Sequence, residues 1–366
     1  MVSYTAPVKL ASARAWRTYT GGSKIDEIHG ISGGKDSQFP EEWIMSTVVA
    51  RNVGREEFVH EGLSFLEHSR ESLRDFIARS PKDALGTAHV DSVGDSTGVL
   101  VKIIDAAERL TVQVHPNKRK ARELFHSRFG KTECWHILGG RDIDGRPYGI
   151  YMGFKEGITR KEWERCFYEQ DIPALLGHMH YFDVKPGETY LIRGGVPHAI
   201  GQGCLLIEIQ EPTDYTIRVE RTTPSGLSVP PQACHQGIGF ERMFDCFEYD
   251  GISREEAYGR WCIPPKILQQ TDDYTRSLLI GYEDTTCFRL ERYDVTGMCE
   301  IHADGIFCGL YIYSGSGKII SEDRVQHIKG GDQFFIPAKC DSFTIEAEKD
   351  HPISMFRFFG PKQEVK

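Results

Sequence analysis

Seven residues have the types and spacings that metal-assisted acid–base chemistry uses. In the run Thr-Val-Gln-Val-His-Pro-Asn at 111–117, side chains alternate along a strand, so Thr111, Gln113 and His115 share one face. Leu110, Val112 and Val114 take the other. In Lys-Thr-Glu-Cys-Trp at 131–135, Lys131, Glu133 and Trp135 share a face, and His136 points away and reads as structural. Gly194, Gly195 and Pro197 turn the chain just before His198, which places that imidazole at a strand re-entry. Glu208 shares a face with Leu206 and Gln210, and Arg218 shares one with Thr216 and Glu220. The inward candidates are then Gln113, His115, Glu133 and His198, with Lys131, Glu208 and Arg218 nearby. Two imidazoles, a carboxylate and an amide oxygen suit Zn²⁺, and less selectively Fe²⁺, Mn²⁺, Co²⁺ or Ni²⁺. The same spacing also allows a plainer arrangement. Gln113 and His115 would then face solvent, Glu133 would pair with Lys131, and His198 would cap a turn.

Most of these residues need strands to hold them. From Gly98 the pattern is one of short alternating runs, GVLVKII, LTVQVHP, KTECWHILGG and YGIYMGF, resuming at Tyr181 and again from about Leu278 to Phe359. Helical periodicity marks Glu56 to Ala78, and KRKARELFHSRF reads as a surface helix. Thr159 with Glu162 forms a capping box, stapled by Ile158 and Trp163, and the pattern runs to about Tyr168. IPALLGHM follows as a short helical segment. Ser253 and Glu256 repeat the capping signal for a helix to Trp261. Pro224, Pro230 and Pro231 separate two strand-rich blocks. The fold class is mainly β, with two barrels or sandwiches and short helical insertions; a single mixed α+β domain with a long insertion is the alternative.

The 366 residues suit about two domains. The net charge of −9, without a basic block, argues against nucleic acid or a membrane surface as partner. No apolar run is long enough to span a membrane, and the N-terminus lacks the apolar core of a secretory signal. The ten cysteines, none before Cys134 and none in a C-x-x-C pair, read as reduced, mostly buried thiols of a cytoplasmic protein.

The stretch Gly187 to His198 resembles the second cupin signature, Gly-x5-Pro-x-Gly-x2-His, with Arg193 where Pro is expected. TVQVHPN, KTECW, GGVPHAIGQG and the segment from Leu206 to Arg218 occur in the order seen in type I phosphomannose isomerases, most closely the short bacterial branch. That resemblance implies two cupin (jelly-roll) barrels. It divides the chain into a catalytic cupin at 1–225 with a helical insertion at about 156–179, a Pro-rich and helical connection at 226–270, and a C-terminal barrel at 271–366. It implies one Zn²⁺ per chain on Gln113, His115, Glu133 and His198, an active-site Lys131, Glu208 and Arg218, and interconversion of mannose 6-phosphate and fructose 6-phosphate. The sequence departs from the family at Thr20-Gly21-Gly22, where Trp-Gly-Gly is usual. It also carries RTTPSG in place of the Gly-Leu-Thr-x-Lys of longer members, a departure that bears on phosphate recognition more than on metal binding. In the C-terminal block Gly331 and Pro337 match the cupin pattern, but Lys339 and Ser342 replace its Gly and His. That block is therefore expected to lack metal and to serve in packing or in a homodimer.

Moving a proton between C1 and C2 of a sugar needs a base beside the carbon and positive charge at the developing enediolate oxygen. Glu208 is the first choice of base and Lys131 the second, while Arg218 suits the enediolate because it keeps its proton. Arg193, Ser46 and Lys24 are minor candidates for phosphate. Trp43, Trp135 and Trp163 read as core. A cupin isomerase or oxygenase acting on another substrate and a non-catalytic sugar-binding cupin are the rival classes.

Overall fold

The computed structural model describes residues 3–322 and 324–363. Its strands form four open sheets stacked as four layers. The outermost layer has five strands in the order Ile217–Arg218, Gln113–Val114, His198–Ile200, Gly149–Phe154, Met179–Asp183. Behind it lies a six-stranded sheet, in the order Arg14–Ala15, Glu41–Ile44, Leu100–Asp105, Cys204–Gln210, Glu133–Gly140, Thr189–Ile192. Alternation dictates how the second layer is used. Leu206 and Trp135 enter the core shared with the five-stranded sheet, whereas Leu205, Ile207, Ile209 and Cys134 face the opposite way.

That opposite face meets a seven-stranded sheet through Leu290, Tyr311, Phe335, Phe356 and Phe358. The fourth layer comprises strands Met298–His302, Ser342–Ala347, Ser316–Ser321 and Arg324–Lys329, and shares its own apolar core with the seven-stranded sheet. The molecule is mainly β, of the cupin type. The expected barrels are two face-to-face sheet pairs whose ladders do not close; among the described residues each sheet keeps its edges. The N-terminal strand Val8–Leu10 pairs with residues 333–335 of the seven-stranded sheet, so the chain's start is tied to its far end.

Helices cover the outer face of the five-stranded sheet. Arg160–Glu169 starts at Thr159, whose hydroxyl accepts from the Glu162 N–H, and buries Trp163, Cys166 and Phe167. Ile172–Gly177 follows, capped by Asp171. Arg254–Trp261 begins at Ser253 as the sequence signal requires. The helix expected over Glu56 to Ala78 is a correction. Residues 56–71 run as turns and bridges, and helix starts only at Leu73, capped by Ser72; Leu73–Arg79, Pro81–Leu85 and Thr87–Val93 follow one another. The reason is steric. Gly62 has φ +87° and packs on the Trp43 ring, so close that a Cβ would lie 2.6 Å from it, which fixes a turn where the periodicity suggests a helix. The surface helix after Pro116 is also shorter than read, Lys118–Phe125, stopped by His126 at positive φ. Cys262 is half-buried and the other nine cysteines are buried; all ten are free thiols.

Candidate metal centre and substrate pocket

Each of the two facing sheets contributes one side of the site. On the five-stranded sheet, Gln113 lies opposite both His198 and Arg218 across adjacent strands, which brings the three residues into one row. His115 follows at the end of the short strand. On the six-stranded sheet, Trp43, Lys102, Glu208 and Trp135 are successive cross-strand partners, and Lys131 and Glu133 enter the strand beside them.

The four predicted ligands meet between these sheets. His115 Nε2 and His198 Nε2 are 3.2 Å apart, Glu133 Oε2 is 3.1 Å from His115 Nε2, and Glu133 Oε1 is 3.3 Å from His198 Nε2. The Gln113 amide is 3.2 Å from His198 Nε2 through its nitrogen, and a half-turn of the amide presents Oε1 there instead. Both rings have a fixed tautomer. His115 Nδ1 donates to the Tyr215 carbonyl at 2.8 Å and His198 Nδ1 to the Val196 carbonyl at 2.9 Å. Carbonyls only accept, so each Nδ1 carries the proton and each Nε2 offers a lone pair. Burial pushes the His115 imidazolium down to about 3, helped by the Lys131 charge, and burial likewise lowers His198. Both are therefore neutral and ligand-competent at pH 7. Burial alone would raise Glu133, but Lys131 and the two histidines hold its carboxyl well below the usual range.

The donor set fits a divalent ion. Two imidazole lone pairs and a carboxylate, all acceptors, converge on one point, and Glu133 Oε1, fully buried, receives no hydrogen bond. Among the described residues the cation in contact with this cluster is Lys131, which donates to His115 Nε2 at 2.7 Å and Glu133 Oε2 at 2.9 Å. Two neutral imidazoles with one carboxylate and an amide is a set Zn²⁺ accepts. The solvent-facing arrangement that the spacing also allowed is excluded, since Gln113 is 9% exposed and the other three at most 1%.

A cavity opens beside this cluster, lined by Gln113, Lys131, Glu208 and Arg218 among the predicted residues. Glu208 does not pair with Arg218. Its Oε1 is 2.9 Å from Lys102 Nζ and its Oε2 accepts from the Trp135 indole at 3.0 Å. Burial alone would lower the Lys102 ammonium, but Glu208 and Glu41 more than offset that and hold it above its ordinary value. Arg218 is anchored by one nitrogen to the Ala233 carbonyl at 2.9 Å and meets no carboxylate within ion-pair distance among the described residues. Reading the sequence missed Lys102, Glu41, Arg17 and Asp214, which also line the cavity. Lys102 had a legible signal, a single charge at an inward position of the apolar run LVKII. Arg17 and Asp214 sit in loops and had none.

The minor phosphate candidates lie elsewhere. Arg193 is exposed at the seam with the C-terminal half, near the Asp284 carbonyl; Lys24 pairs with Glu27 on the surface; Ser46 is buried and bonds the Val48 backbone. Trp43, Trp135 and Trp163 are fully buried, as read. His136 points away from the cluster, with Nδ1 2.9 Å from the Thr189 hydroxyl.

A cupin-type β fold holding a buried His–Glu–His set beside a cation-rich cavity defines a candidate metal-dependent cupin. The mannose-6-phosphate isomerase cupin domain matches residues 280–351, and the type I phosphomannose isomerase catalytic domain matches residues 60–131, a span that contains Gln113, His115 and Lys131. The two models match separate stretches of the chain, and both are of the phosphomannose isomerase type. It is 26% identical over 257 residues to mannose-6-phosphate isomerase ManA of Bacillus subtilis (strain 168), covering 69% of this chain and 73% of that one. Its fold matches the crystal structure of mannose 6-phosphate isomerase from Bacillus subtilis with a TM-score of 0.73 at 21% identity, over 96% of this chain and 99% of that one. It also matches a mannose 6-phosphate isomerase bound with zinc and yttrium, with a TM-score of 0.71 at 16% identity, over 97% and 100% of the two chains.

Proposed function

We propose that this protein is a zinc-dependent mannose-6-phosphate isomerase, interconverting mannose 6-phosphate and fructose 6-phosphate through an enediolate. The observation that carries the reading is the convergence of His115, Glu133 and His198 on one point at the wall of a cavity that also presents Glu208, Lys131 and Arg218. Gln113, His115, Glu133 and His198 would hold one Zn²⁺ per chain, and the ion would supply Lewis-acid charge to the sugar oxygens.

This chain's own residues supply the proton transfer. Glu208 takes the proton from C2 of the aldose and returns it to C1, while the hydroxyl proton passes between O2 and O1. Trp135 and Lys102 fix the carboxylate through both oxygens, so its attack direction is set before substrate arrives. Lys131, whose Nζ lies beside His115 Nε2 and Glu133 Oε2, would adjoin the bound ion and add fixed positive charge next to the reacting oxygens. Arg218 stabilises the enediolate, with one nitrogen tied back and the rest of the fork free. Each well-placed donor of this kind is worth about 3–4 kcal/mol of barrier.

At the scale of domains, residues 1–225 would form the catalytic unit, with a helical insertion at about 156–179, residues 226–270 the connection, and 271–366 a second, metal-free cupin-type unit. That second unit is also the surface a homodimer would use. Among the described residues no helix is long and apolar enough to cross a membrane, and the enzyme is assigned to the cytoplasm. A coupled assay with mannose 6-phosphate, before and after chelation, tests the reading. Turnover that chelation abolishes supports it; metal uptake without turnover would leave a sugar-binding cupin instead.

A further inference from the structure

The RTTPSG stretch departs from the family pattern after Arg218, and Arg17, Lys24, Ser46 and Arg193 are placed differently with respect to the cavity. Resting on the isomerase reading, we infer that Arg17 binds the substrate phosphate and sets the preference for phosphorylated sugars.

Arg17 lies in the loop before the Thr20-Gly21-Gly22 turn, lines the same cavity as Glu208 and Arg218, and is 8% exposed. Its guanidinium is held on three sides. Nε is 3.0 Å from Glu41 Oε2, Nη1 donates to the Asn52 side-chain oxygen at 3.1 Å and to the Trp16 carbonyl at 3.3 Å, and the plane lies over Trp43 at 5.0 Å. Glu41 is fixed in turn by the Tyr19 hydroxyl and the Trp43 indole, both at 2.7 Å. The fourth side is different. Arg17 Nη2 is buried and donates no hydrogen bond, and Asp214 Oδ1 lies 3.8 Å away. A buried guanidinium nitrogen without an acceptor is costly, and an anionic oxygen in the cavity removes that cost.

Position favours the phosphate over the reacting carbons. From the metal cluster the contacts run His198 to Trp135 at 5.4 Å between rings, Trp135 to Glu208 at 3.0 Å, Glu208 to Lys102 at 2.9 Å, Lys102 to Glu41 at 3.7 Å, and Glu41 to Arg17 at 3.0 Å. Trp135, Glu208, Lys102 and Glu41 thus stand along the contact path between the metal cluster and Arg17. Arg17, Lys102 and Arg218 line the cavity with Glu41, Glu208 and Asp214, while Arg109 and Lys131 there are paired with Glu220 and Glu133.

The test compares the wild type with Arg17→Lys and Arg17→Gln, using steady-state kinetics with mannose 6-phosphate and calorimetric titration with inorganic phosphate. Losing a charged hydrogen bond should raise both KM and the phosphate dissociation constant about 10- to 100-fold, with kcat changed far less. Unchanged phosphate affinity in Arg17→Lys would overturn the assignment, since the lysine keeps the charge beside Glu41 but cannot present the same fork. So would a fall in kcat and melting temperature at constant KM, which marks a structural ion pair. Should Arg17→Gln not fold, the Lys variant decides alone. Calorimetry needs no turnover, so phosphate bound through Arg17 by an inactive wild type would leave this inference standing while the isomerase reading fell.

Discussion

At the level of single residues, the site depends on which atoms are left free to act. The backbone carbonyls of Tyr215 and Val196 set both histidine tautomers, so ligand competence is fixed by the fold and not by pH near neutrality. Glu208 is locked by Lys102 and Trp135 without being neutralised by Arg218. Replacing Glu208 by Gln should leave zinc content intact and lower kcat by about 10²- to 10⁴-fold, the usual range for a lost general base. Metal analysis with steady-state kinetics measures this, and full activity in the variant would remove Glu208 from the base role. That Gln113, His115, Glu133 and His198 gather beside Lys131, Glu208 and Arg218 was legible from alternation and family motifs, because strand residues at a spacing of two must share a face. Arg17 and Asp214 were not, since loop residues have no period that says which way they point.

The strands and helices place these residues by register. A one-residue slip of the strand Cys204–Gln210 would send Glu208 into the apolar seam and bring Ile207 or Ile209 into the cavity, so the alternating apolar residues of that strand specify the active site as much as the core. The strand Gly149–Phe154 shows how tightly the neighbours are fitted. Gly153 has φ +72°, and a Cβ there would lie 1.9 Å from the Trp261 ring of the helix Arg254–Trp261. The adjacent Met152 pairs with His198. Gly153→Ala should cost about 2–4 kcal/mol from overpacking and left-handed strain. Urea unfolding would show it as a lowered midpoint, and an unchanged midpoint would contradict the packing described. Capping signals at Thr159 and Ser253 identified two helices correctly. The helical reading of 56–71 failed because periodicity carries no information about the Trp43 ring that Gly62 must accommodate.

Over the whole molecule, the seam between the second and third layers joins the two halves. His136 sits there fully buried, against Phe356 at 5.5 Å between rings. Burial, with Arg292 adding to it, pushes its imidazolium down to about 3. The sign follows from that direction. The unfolded chain binds a proton near pH 6.5 that the folded chain refuses, so this stability is present above 6.5 and is lost as pH falls from 6.5 towards 3, at about 1.4 kcal/mol per pH unit. Unfolding free energies at pH 7.5 and 5.5 should therefore diverge more for the wild type than for His136→Gln; equal pH dependence would show that His136 does not carry the effect. The mainly β character was readable from the strand runs. Layering was not, because no local pattern records that Val8–Leu10 pairs with a strand more than three hundred residues away.

The central claim is that a single divalent ion, bound by Gln113, His115, Glu133 and His198, makes this cavity an isomerase. The most direct measurement is a zinc titration of the chelator-stripped protein, following conversion of mannose 6-phosphate to fructose 6-phosphate against bound metal. Activity should rise in proportion to zinc and saturate at one equivalent per chain, and Glu133→Gln should neither retain that equivalent nor recover turnover. Undiminished conversion by the metal-free protein, or full zinc and activity in Glu133→Gln, would contradict it.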